Sequence, residues 1–324
     1  MNGSLKDCVW CDGVCYDQNM INGTGECDRY GVQLWYGHWL YPTFSLLMPV
    51  GVLGHFLFWY IVRKKYMKDA SMVLLAISLL PTFMQCVWVS AVSFYGLAVG
   101  ERIMGAGLGC DFEGMLNTFT YGLCLCFSSI IAYERYRKIC MPFTKAWSLK
   151  QWILLCSAGT VLMFALVVTA AFMDGFHLLY SKLYCHINFS SLDNMMLSIL
   201  YMLFLLAGSF YCYAKIYIKI HKTFNGASEP ECMARRAAVQ LMKVYMYMLL
   251  CFAPGSISIF LQATRIVPEY KSPPYDVIAN VAGGMYTWGE VYFIFYVFPK
   301  LRPGIKEISC FADRRTFPES GQAS

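Results

Sequence analysis

Charge is scarce in this chain. Only 14% of its 324 residues are Asp, Glu, Lys or Arg, where a soluble domain carries roughly 25%. The scarcity is uneven, because the run from Met115 to Ala132 holds no charge at all. With 58% of residues hydrophobic, the soluble two-domain protein that length alone would favour is excluded. Metal-ligand spacings and nucleophile–base pairs at a shared depth are also lacking, so an enzyme has little support. Met1 to Arg29 is polar and has no apolar core, so no cleavable signal peptide is expected there.

What is present is membrane-length apolar sequence. Windows of about 20 apolar residues give seven spans: Trp39–Val62, Ala70–Leu97, Gly107–Ile139, Leu149–Met173, Met195–Ile220, Ala237–Ala263 and Tyr275–Phe298. The last is weakest, interrupted by Asp276, Asn280 and Glu290. The segments after spans one, three, five and seven hold 20 of the 26 lysines and arginines. By the positive-inside rule the amino terminus is outside and the carboxyl terminus inside. The net charge of +6 then reflects retention and attraction to anionic lipid, with no nucleic-acid partner. The expected fold class is an all-α membrane protein: a seven-transmembrane-helix bundle at the plasma membrane, with a short amphipathic helix after the seventh span. It divides into an extracellular cysteine-containing segment (1–37), the bundle (38–299) and a cytoplasmic amphipathic helix and tail (300–324).

The fifteen cysteines divide by compartment. Cys8, Cys11, Cys15 and Cys27 lie in the outer segment, where oxidation is permitted; three pairings are open. Cys86, Cys124, Cys126, Cys156, Cys212 and Cys251 fall within spans and read as small apolar residues. The triplets starting at Asn2, Asn22 and Asn188 are glycosylation sequons, all on the expected outer side. Ile305, Ile308 and Phe311 mark the amphipathic stretch, and Cys310 at its end is a candidate lipidation site.

Cys110 and Arg135 stand 25 residues apart, roughly 37 Å along a helix at ~1.5 Å per residue, slightly more than a ~30 Å hydrocarbon core. One end of span three therefore carries a cysteine at the outer face. The other carries Glu134-Arg135-Tyr136 at the inner face. With Pro142 six residues after Tyr136 and the start Cys110-Asp111-Phe112-Glu113-Gly114, this span resembles the third helix of rhodopsin-like G protein-coupled receptors, opsins most of all. Phe210-Tyr211-Cys212-Tyr213 is similar to an opsin pattern in span five. Cys251-Phe252-Ala253-Pro254 resembles the Cys-Trp-x-Pro motif of span six, with Phe252 in place of tryptophan.

The resemblance implies a set of roles. Cys110 bonds Cys185, which holds the outer loop over a ligand cavity. Glu113, Asn117, Thr118, Phe252 and Tyr286 line that cavity. Glu113 is either the partner of a cationic ligand or protonated, and Asp111, higher up, is solvated. Glu134 restrains Arg135 through a charge-assisted hydrogen bond, and protonating Glu134 would release it. Tyr136 belongs to this switch, Tyr213 receives the freed arginine, and Pro254 is the pivot. The implied partners are a heterotrimeric G protein, a small-molecule or peptide ligand and the lipid bilayer.

The pattern breaks elsewhere. His55 stands where an asparagine is expected in span one, and Pro81 where an acidic residue is expected in span two, so a buried sodium site is not expected. Tyr292-Phe293 replaces the usual Asn-Pro pair. The retinal lysine position falls at Met285 or Tyr286; the nearest lysines are Lys271 outside and Lys300 inside. A Schiff base needs a lysine amine, so covalent retinal is excluded at that site and no cofactor is expected. The leading reading is an opsin-like receptor without its retinal lysine. A photoreceptor holding retinal non-covalently, and a seven-helix transporter or channel, are the alternatives.

Overall fold

The computed structural model describes residues 8–11, 14–17, 30–99, 108–173, 175–178, 185–187, 192–222, 229–263, 273–298 and 301. Eight helices run in order: α1 (Tyr30–Ile61), α2 (Ala70–Ser78), α3 (Leu80–Val99), α4 (Leu108–Cys140), α5 (Leu149–Met173), α6 (Leu192–Lys222), α7 (Glu229–Ala263) and α8 (Pro273–Val297). Helices α2 and α3 form one span, broken at Leu79. Pro81 accounts for the break, since it has no amide to donate and its ring crowds the preceding turn. The expected seven spans are therefore all present. Six are long and apolar enough to cross a membrane. The seventh, α8, has 25 residues but carries Asp276 and Glu290, the weakness the sequence already shows.

Two antiparallel hairpins accompany the bundle. Strands β1 (Cys8–Cys11) and β2 (Val14–Asp17) lie near the amino terminus. Strands β3 (Phe176–Leu178) and β4 (Cys185–Ile187) follow α5 and pack on α4. The pairing of Cys8, Cys11, Cys15 and Cys27, the sequons at Asn2, Asn22 and Asn188, the amphipathic stretch and Cys310 lie outside the described residues.

Local signals set the starts of α2 and α5. Asp69 caps α2 by accepting from the Ser71 amide at 3.0 Å. At α5, the Ser148 amide donates to Gln151 Oε1 at 2.8 Å and the Gln151 amide reaches back to Ser148 Oγ at 3.4 Å, a reciprocal capping box. Before it, Arg137 donates to Lys145 O at 2.9 Å and lies over the Trp147 ring, which ties the loop after α4 to that helix.

Apolar side chains such as Leu46, Leu53, Phe172 and Phe204 are exposed, as a lipid-facing surface requires. Between helices, polar groups replace the missing hydrophobic drive. Trp59 donates to Ala76 O, Tyr292 to Val50 O, Tyr247 to Met285 O and Ser129 to Leu205 O, at 2.7–3.1 Å. Glycines bring α1 against its neighbours. A Cβ on Gly51 would lie 2.8 Å from Cys86 Sγ and 3.0 Å from the Trp288 Cα. Backbone cannot yield as a flexible side chain does, so Gly51→Ala should destabilise by about 1–3 kcal/mol. Gly208 has nothing within 4 Å, and Gly208→Ala should leave stability unchanged or raise it. Thermal denaturation of the purified variants in detergent checks both; equal midpoints for the two would contradict this packing.

Candidate functional site

The half of the bundle at the Cys110 end of α4 encloses a cavity of about 260 Å³. Glu113, Asn117 and Thr118 reach it from α4 and Phe252 from α7, so four of the five expected ligand residues meet at one place. Tyr286 does not line it. It is 1% exposed and sits on the inner side of Phe252, with ring centroids 4.7 Å apart. Its hydroxyl donates to Glu290 Oε1 at 2.8 Å. The reason is helical phase: Gly283, Gly284 and Thr287 hold the cavity face of α8, and Tyr286 turns toward the core. Met285, the other register for the retinal lysine, is 50% exposed and faces outward.

Several lining residues carry no motif and escape sequence reading. Gln85 and Ser93 come from α3, Tyr121 from α4, Asn280 and Thr287 from α8. Gln85 donates to Asn117 Oδ1 at 2.8 Å and accepts from Thr120 Oγ1 at 2.9 Å, which fixes the polar wall beside Glu113. The signal was a lone glutamine in an apolar run, where a polar side chain must find a partner inside the bundle.

The roof is the β3–β4 hairpin. Cys110 and Cys185 are disulfide-bonded with Cα atoms 5.3 Å apart, and Ile187 from β4 lines the cavity. Asp111 is half-buried, and its carboxylate accepts from the Phe176 amide at 3.4 Å. It anchors the hairpin, where the sequence pointed to a solvated group. Phe176 presses on Gly114, whose added Cβ would fall 2.5 Å from the ring; the glycine of the Glu113-Gly114 pair is there to admit it.

At the other end of α4, Glu134 and Arg135 are both buried. Arg135 Nε lies 3.1 Å from Glu134 Oε2, but the two atoms are not aligned for a hydrogen bond. The carboxylate's other oxygen is held better: Ser71 Oγ donates to Oε1 at 2.7 Å and Lys138 Nζ lies 2.6 Å from it. Tyr213 is buried within electrostatic reach of both Arg135 and Glu134, and its ring packs on Tyr245 of α7 at 5.1 Å. Tyr136 packs on Tyr133 and Tyr211. Pro254 lies inside α7, two residues beyond Phe252 on the cavity wall.

A second polar cluster links spans one, two and seven. His55, fully buried, has Nδ1 2.7 Å from Gly51 O and Nε2 3.1 Å from Thr82 Oγ1. Glu290 is buried beyond Tyr286, and its Oε2 has no hydrogen-bond partner. No group of three or more His, Cys, Asp or Glu suited to a metal ion occurs among the described residues.

The tether predicts its own cost. Cys185→Ala should lower stability by about 2–4 kcal/mol, read as a thermal shift of the purified protein. An unchanged midpoint would contradict a structural role for the bond.

Residues 55–285 match the model of the family "7 transmembrane receptor (rhodopsin family)". The crystal structure of squid rhodopsin superposes with a TM-score of 0.72 at 14% identity, covering 89% of this chain and 89% of that one. At that identity the likeness speaks for the fold. No curated protein matches the chain. The family match spans more than half of the sequence, from the buried His55 through the cavity to α8. The chain belongs to the rhodopsin family of seven-transmembrane receptors, and it is a receptor, not an enzyme.

Proposed function

We propose that a small ligand carrying a cationic or hydrogen-bonding head and an apolar body seats in the outer cavity against Glu113. Its binding shifts the bundle toward a state with an open inner face, where a heterotrimeric G protein docks beside Arg135. The observation that carries this reading is that α4 runs unbroken from Glu113, in a roofed cavity, to Glu134 and Arg135 at the opposite end. One rigid element thus touches both sites. The orientation follows the charge asymmetry: amino terminus and cavity outside, Arg135 toward the cytoplasm, in the plasma membrane. The hairpin roof and modest volume favour a small molecule over a peptide.

Three outcomes follow. Purified receptor should accelerate nucleotide exchange on at least one member of a panel of heterotrimeric G proteins. Arg135→Ala should remove that activity at equal expression; retention of full activity would sink the role of Arg135. Glu134→Gln, which keeps the shape but drops the charge, should raise basal exchange several-fold, and unchanged or reduced basal exchange would count against a restraint on Arg135.

Light gives the last arm. Protein incubated with 11-cis-retinal should yield no borohydride-reducible adduct in the bundle and no stable red-shifted band, since α8 has no lysine. A visible, bleachable pigment would overturn the register of α8 and make the chain a photoreceptor. Light-dependent exchange without an adduct would identify non-covalent retinal as the ligand.

A further inference from the structure

Glu134 has two cationic neighbours, and the better placed one is not the arginine. Lys138 Nζ lies 2.6 Å from Oε1 and donates to Ser71 Oγ at 2.5 Å, while Ser71 Oγ donates to the same Oε1 at 2.7 Å. These three groups form a closed triangle between α4 and α2. Arg135 meets only Oε2, in a misaligned contact. The carboxylate itself is 1% exposed, so it cannot fall back on water.

The geometry points to Lys138 as a built-in counter-charge that lets Arg135 leave Glu134 without a proton being taken up. This rests on the receptor switch proposed above and specifies how that switch is biased. A buried carboxylate that loses its sole cation must be protonated or remain unpaired at high cost. Here the cation that leaves is one of two. Lys138 stays on the same helix, one turn away, and Ser71 keeps its hydrogen bond, so the departing Arg135 leaves a paired carboxylate behind. Lys138 is thus a positioning residue: its head is 46% exposed on the side chain, and it acts through Glu134.

The other groups around the node do not replace it. From α2, Asp69 accepts from the Ser71 amide at the exposed helix start. Lys64 and Lys65 are exposed on a π-helical turn (Val62–Tyr66) that continues α1, and Lys68 is exposed on the turn before α2. From α6, Tyr213 faces the pair with Tyr245 of α7 behind it, and Lys215 and Lys219 lie toward Cys140.

The test reads opening directly, free of the pH sensitivity of a G protein. Spin labels on Cys140 and on Arg236→Cys, at the inner ends of α4 and α7, in receptor whose Cys232, Cys251 and Cys310 are replaced by Ser, report their separation by pulsed electron resonance in the full-length chain without ligand, from pH 5.5 to pH 8. The expected open fraction is flat with pH for the parent protein. For Lys138→Met it is lower at pH 8 and rises at least threefold as pH falls, because opening now requires a proton on Glu134. Lys138→Arg should restore the flat profile, which separates charge from fold. In Glu134→Gln the open fraction should be raised and flat, with or without Lys138→Met. Equal pH profiles for the parent and Lys138→Met, whether flat or sloped, would overturn the proposal while leaving the switch intact. Failure of Glu134→Gln to open at all would overturn the Arg135 switch itself, and this proposal with it.

Discussion

A lipid interior offers polar groups no water, so every donor and acceptor inside the bundle must be answered by another part of the chain. Most of what is specific in this structure follows from that constraint. His55 turns to Gly51 O and Thr82, Gln85 bridges Asn117 and Thr120, and Tyr286 donates to Glu290. Each pairing fixes one helix against its own turn or a neighbour's. Among the described residues pairing is incomplete at Arg135 Nε and Glu134 Oε2, at Glu290 Oε2, and at the Tyr201 hydroxyl and the Trp288 indole N–H. Incomplete pairing inside a membrane is costly, and it leaves groups that gain from moving.

Helix α4 is the axis of the molecule. Its N-terminal end is bound to the roof by Cys110 and Asp111, the next turns supply the polar wall of the cavity, and its C-terminal end holds the charge node. Helix α7 carries Phe252 and Pro254 on the cavity side and Tyr245, the partner of Tyr213, toward its other end. Through Phe252 and Tyr286 the cavity floor also reaches Glu290 on α8. Ligand-side and inner-side groups are therefore joined by two stretches of packed side chains rather than by one contact.

The spans were legible in the sequence from their apolar length, and the Cys110–Cys185 bond and the Glu134–Arg135 contact from the resemblance of span three to a receptor helix. Windows of apolar residues gave all seven spans, and the weak seventh is the one outside the six that are long and apolar enough to cross a membrane. What the sequence hid was rotational phase and long-range pairing. Tyr286 and Thr287 are adjacent, yet only Thr287 lines the cavity. Asp111 reads as a solvated outer residue until β3 is seen folded back onto it. Lys138 looks like one of several juxtamembrane cations; its partner Ser71 is 67 residues away, and no local pattern announces the triangle with Glu134.

The central claim is that the cavity and the inner face belong to one two-state bundle, and such coupling must be reciprocal. Cys251 on α7 lines the cavity and is a free thiol. Its reaction with a small thiol reagent, followed by peptide-resolved mass spectrometry, reports the cavity without any known ligand. A nucleotide-free heterotrimeric G protein bound at the Arg135 face should change the labelling rate of Cys251 severalfold, and adding a non-hydrolysable GTP analogue should reverse the change. A G protein that binds while the Cys251 rate stays constant would contradict the account.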